Sequence, residues 1–79
     1  MTKAKLKKVC AGQYECTTNR KGYDIQVDVT GDGRGFHYSI YVNGSYASGD
    51  GADGWLLRDI KHSLDINIDY AIEEYQYNR

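Results

Sequence analysis

Strict alternation of apolar and polar positions dominates this chain. Across residues 23–30, Tyr23, Ile25, Val27 and Val29 take one parity, and Asp24, Gln26, Asp28 and Thr30 the other. That pattern predicts a strand with one buried and one wet face. Residues 36–42 repeat it, with Phe36, Tyr38, Ile40 and Val42 set against His37, Ser39 and Tyr41. Asn43-Gly44 follows, and this dipeptide suits a two-residue turn in which both positions have φ > 0. Such a turn fixes the register: Val42 opposite Ser45, Tyr41 opposite Tyr46, Ile40 opposite Ala47. Ala47 then joins the Phe36 face, while Tyr46 and Ser48 join the His37 face. Residues 13–18 read as a shorter strand with Tyr14 and Cys16 on one side. Residues 2–9 place Ala4 and Leu6 opposite Lys3, Lys5 and Lys7, as a lysine-guarded edge strand or a flexible lead.

The pattern changes after residue 52. Gly31-Asp32-Gly33-Arg34-Gly35 reads as a loop and Gly49-Asp50-Gly51-Ala52 as a flexible link. Asp53 stands as an N-cap for a helix over residues 54–64, since its carboxylate can accept an orphan backbone N–H. Leu56, Leu57, Ile60 and Leu64 form the apolar stripe of that helix, and Trp55 helps to anchor it. Residues 65–72 satisfy two templates. Ile68, Ile72 and Tyr75 continue the helical stripe, yet Ile66, Ile68, Tyr70 and Ile72 alternate strictly with Asp65, Asn67, Asp69 and Ala71. A helix would leave Ile66 and Tyr70 off its stripe, and Ile and Tyr favour strands. The expectation is therefore a strand over 65–72, bulged at Glu73-Glu74 and resuming at Tyr75. The whole is a single α+β domain of 79 residues, a mainly antiparallel four- or five-stranded sheet with one helix on one face, in the order ββββαβ.

Composition narrows the function. The formal net charge is −1, so bulk basicity does not point to nucleic acid. The sign is uneven, however: residues 1–34 hold seven Lys or Arg against four acids, and residues 35–79 three against seven. No secretory signal and no apolar run of bilayer length are present, so a cytoplasmic location without a membrane partner is expected. Cys10 and Cys16 are then reduced thiols. Their spacing matches no zinc pair, and adding His37 and His62 gives four donors in no known finger arrangement. No metal or cofactor is expected, and Cys16 is read as a small buried side chain.

Two short stretches resemble known motifs. Arg34-Gly35-Phe36-His37-Tyr38-Ser39-Ile40-Tyr41 resembles the ribonucleoprotein-1 signature of RNA-recognition domains. That resemblance implies that Phe36 and Tyr38 stack on bases and Arg34 meets phosphate. His37 and Ser39 stand where that family buries a small and an aliphatic residue, and the alternation instead predicts an ordinary strand with Phe36, Tyr38 and Ile40 inward. Asp28-Val29-Thr30-Gly31-Asp32-Gly33 is similar to the first half of an EF-hand or dockerin loop, which would give Asp28, Thr30 and Asp32 to calcium. Its twelfth position is Ser39, not a bidentate acid, so a hairpin loop is the simpler expectation. No nucleophile lies in a recognised catalytic motif, and an enzyme is not expected.

Eight tyrosines and no proline point instead to a binding surface, because tyrosine supplies rigid contact area with a polar tip. His37, Tyr41 and Tyr46 share the wet face with Glu15, Asp24 and Asp28. The expected last strand adds Asp65, Asp69, Glu73 and Glu74, with Tyr75 and Tyr77 close by. Aromatic anchors in an acidic surround suit a protein partner with a basic surface. In size, tyrosine content and acidic second half the chain resembles the small proteins of phages and mobile elements, anti-CRISPR proteins among them. The resemblance implies an inhibitor of a host nucleic-acid-binding protein, with Tyr41, Tyr46, Asp65, Asp69, Glu73 and Glu74 meeting its arginines and lysines. The rival reading is a single-stranded RNA or DNA binder using Lys3, Lys5, Lys7, Lys8, Arg20, Lys21 and Arg34, with tyrosines stacking on bases. An uncovered sheet edge would also let two copies pair as a homodimer.

Overall fold

A computed structural model describes residues 4–31 and 35–77, with the backbone alone at 50–55. Five strands run in sequence: β1 Lys7–Cys10, β2 Gln13–Arg20, β3 Tyr23–Gly31, β4 Phe36–Val42 and β5 Ser45–Trp55. They form one open antiparallel sheet in the order β1-β2-β3-β4-β5, and α1 Leu57–Tyr77 packs on one face. The α+β architecture is as the sequence predicts.

The parity rule decides the core. Ile25, Val27, Val29, Tyr38, Ile40 and Val42 are all buried, as is Cys16 of β2. Their neighbours of opposite parity, Asp24, Asp28 and His37, are exposed. From α1 come Ile60, Leu64, Ile68, Ala71 and Ile72, spaced three or four apart so that one stripe meets the sheet. Rings close both ends of this interface. Tyr14 meets Phe36 edge-on at 5.9 Å, and Tyr23 meets Tyr75 at 5.6 Å. The Asn43-Gly44 turn forms with φ of 51° and 84°, and Asn43 adds a brace, its Oδ1 accepting the Asp24 N–H at 2.9 Å.

Three expectations are corrected. The segment 65–72 is helix, not strand: α1 runs unbroken for 21 residues, so the order is βββββα and Glu73 and Glu74 mark no bulge. The alternation there comes from two helical faces, because Ile68 and Ile72 lie on the buried stripe and Ile66 and Tyr70 on the outer side. Asp53 is not a helix cap. Its backbone belongs to β5, and the carbonyl that opens α1 is that of Leu56, which accepts from Asp59 at 3.0 Å and Ile60 at 3.2 Å. The link expected at residues 49–52 is likewise part of β5.

The β4–β5 register also slips, between Ile40 and Tyr41 and again between Phe36 and Tyr38. Val42 faces Ser45 and Tyr41 faces Tyr46 as predicted, but Ile40 faces Ser48. Ala47 is the extra residue of a bulge, so Ala47 and Ser48 together oppose Ile40. Ser48 therefore shares the side of Ile40 rather than that of His37. At the other edge the strand is short: β1 is Lys7–Cys10, and the half-buried Ala4 and Leu6 pack against the core ahead of it.

Candidate functional site

The residues singled out for binding separate onto opposite sides of the molecule. Tyr41, Tyr46 and His37 stay on the outer face of the sheet, where Tyr41 and Tyr46 meet edge-on at 5.8 Å. The register sets Glu15 beside Asp28, and Gln26 beside Tyr41. Asp69, Glu73, Glu74 and Tyr77 belong to α1, which covers the other face. The expected single patch depended on a final strand beside the hairpin, and the helix removes it.

Two of the expected contact residues have structural duties. Asp65 accepts from Arg20 Nη2 on Oδ1, from Arg20 Nη1 on its main-chain carbonyl at 3.1 Å, and from the Ala4 N–H at 3.2 Å. Arg20 Nη1 also reaches Asp69 Oδ1 at 3.3 Å. Tyr75 is half-buried against Tyr23. The Arg20 guanidinium, only 12% exposed, is held above its ordinary pKa, chiefly by its hydrogen bond to Asp65. It is thereby withdrawn from the set of residues offered to nucleic acid. Lys5, Lys7 and Lys8 remain exposed along the first edge, and Lys21 lies in the β2–β3 turn. Lys3 and Arg34 lie outside the described residues.

The motif resemblances are redirected by the same geometry. Tyr38 is buried and Phe36 half-buried against Tyr14, so neither presents a ring face to a base. Asp28 and Thr30 lie in β3, with Gln26 Nε2 donating to Asp28 at 2.8 Å, and Asp32 and Gly33 lie outside the described residues. Cys10 is exposed, Cys16 is buried on the helix side, and His37 is exposed on the sheet's far side. His62 is exposed on α1. These four side chains do not converge. Among the described residues, no three His, Cys, Asp or Glu side chains group as a metal site would require.

What the sequence reading missed is the outer face of α1. Ile66 is 72% exposed, Tyr70 54% and Tyr77 86%, and their spacing of four and seven residues sets them in one row. Glu73 is exposed beside them. The Tyr70 hydroxyl donates to the carboxylate of Glu74 one turn on, which raises the phenol above its usual range. The signal was present in the sequence, since Ile66 and Tyr70 are the two apolar residues that a helix leaves off its buried stripe.

No family model, curated protein or solved structure matches the chain. Among the described residues no helix is long and apolar enough to cross a membrane.

Proposed function

We propose that the chain is a small non-enzymatic binding module that docks on a basic protein surface through the outer face of α1. One observation carries this reading. The inner stripe of α1 already fills the core, and three further large side chains, Ile66, Tyr70 and Tyr77, stand in water on its opposite side. Scattered exposed apolar residues need no explanation. A row of them on one helix face suits insertion into a groove.

Charge selects the partner. α1 holds Asp59, Asp65, Asp69, Glu73 and Glu74 against Arg58 and Lys61, and its last turn has no basic residue. Carboxylates toward a helix C-terminus oppose the macrodipole. Lysines or arginines on a partner groove would offset that repulsion and frame the tyrosines. A groove that normally holds phosphates fits this description, which makes the chain an inhibitor of the phage type that its style resembles.

The test is affinity capture from the native host with the intact chain, followed by titration of the purified partner. Ile66→Asp and the pair Glu73→Lys and Glu74→Lys are expected to abolish binding, and Tyr41→Ala with Tyr46→Ala to leave it intact. The opposite ranking would transfer docking to the sheet. A shift of single-stranded RNA or DNA that weakens steeply with salt, and is lost in Lys7→Glu with Lys8→Glu, would establish the nucleic-acid alternative instead.

A further inference from the structure

A cleft of about 270 Å³ separates residues 4–6 from α1, lined by Ala4, Lys5, Leu6, Lys61 and Leu64. Its apolar lining is Ala4 and Leu6 from one wall and the buried Leu64 from the other. Both charged residues on it are cations, and both are exposed. The carboxylate next to Leu64, that of Asp65, is already engaged by Arg20 and by the Ala4 N–H, which leaves the lysines to set the sign of the rim. Another cleft, about 300 Å³, carries Glu15 and Asp28 and no cation.

The wall formed by residues 4–6 is a strap with two fastenings. The Ala4 N–H donates to Asp65 at 3.2 Å, and the Lys5 N–H donates to the thiol of Cys16. Cys16 is 5% exposed, and the exposed Lys61 ammonium lies 5.7 Å from the Tyr14 ring centre.

We propose that this cleft binds a free single-chain amphiphilic anion, with its hydrocarbon on Ala4, Leu6 and Leu64 and its head group between Lys5 and Lys61. The volume sits near the lower end of ordinary ligand cavities, roughly 300–1,000 Å³, so the ligand is short. Two lysines at the mouth recognise a carboxylate or sulfate as point charges. A ligand bridging strap and helix holds the strap down, and Cys16 reports it, because the strap must lift before a reagent reaches the thiol.

The experiment titrates the full chain with octanoate and octyl sulfate below their micellar concentrations, followed by NMR, with octylammonium and octan-1-ol as controls. Saturable binding of both anions is expected, with octanol weaker and octylammonium silent. Lys5→Glu and Lys61→Glu are each expected to weaken binding about fivefold or more. In Cys10→Ser, octanoate is expected to slow alkylation of Cys16 several-fold. Equal binding of octylammonium, indifference to both lysine reversals, or unchanged Cys16 alkylation at saturation would each overturn the proposal. Capture by phosphatidylserine vesicles without octanoate binding would overturn it too, in favour of a membrane surface.

Discussion

Arg20 holds Asp65 at two points, its Nη2 on the carboxylate and its Nη1 on the main-chain carbonyl at 3.1 Å. A residue at the end of β2 is thus fixed to the middle of α1 across 45 positions of sequence. Charged hydrogen bonds of this kind contribute about 1.5–3 kcal/mol when one partner is removed. Arg20→Ala is expected to lower the unfolding free energy by that amount, read as a lower urea midpoint at constant slope. Arg20→Lys should recover only part, since an ammonium cannot reproduce the planar fork. The pair raises the Arg20 pKa, so on the alkaline side its contribution is complete at neutral pH and is lost only in strong alkali.

Leu56 occupies the N-cap of α1 with a side chain that accepts no hydrogen bond. It is 54% exposed, so replacing it gives up little burial. Leu56→Asp is expected to stabilise the chain by about 1 kcal/mol through a capping hydrogen bond and the helix dipole. Thermal unfolding measures it, as an upward shift of roughly 4–8 °C.

Gly49 allows edge strand β5 to close on β4. A Cβ there would lie 2.6 Å from Tyr46 Oη and 2.7 Å from the Tyr38 carbonyl oxygen. The phenol can swing away, but the backbone oxygen cannot. Gly49→Ala should therefore cost about 1–3 kcal/mol, as overpacking does. Tyr46→Ala in the Gly49→Ala background should restore little, and equilibrium unfolding of the single and double variants decides the point.

Burial pushes the Cys16 thiol above its ordinary value of 9.0. An acid whose folded pKa is raised binds more protons in the folded state, so stability must fall as pH rises. The contribution is complete below 9.0, the unfolded value, and declines as pH climbs toward the folded one. Stability of the natural chain relative to Cys16→Val is expected to drop over that interval and to be level at neutral pH. Parallel urea titrations of the two proteins test it.

Much of the sheet was legible in the sequence. Alternation at 23–30 and 36–42 named the buried Ile25, Val27, Val29, Tyr38, Ile40 and Val42, because a strand has two faces and a one-residue slip would invert them all. Asn43-Gly44 placed the turn for an equally local reason. The bulge at Ala47 was not legible, since Ala47 and Ser48 are both small enough to take either side.

The helix was half legible. Of its expected first stripe, Leu57, Ile60 and Leu64 pack on the sheet while Leu56 is exposed just ahead of the helix, and 65–72 satisfied period two and period 3.6 together, so that only packing chose between them. Once Ile68, Ala71 and Ile72 settled on the sheet, Ile66 and Tyr70 were left outside, and the acidic residues expected beside Tyr41 went to the other side of the molecule. The sequence alone therefore determined the strands at 23–30 and 36–42 and which way their side chains face, because those choices rest on neighbours two to four residues apart. The tertiary structure decided where α1 ends, what Arg20 binds and which tyrosines remain in water, because each of those depends on contacts between residues that the chain keeps far apart.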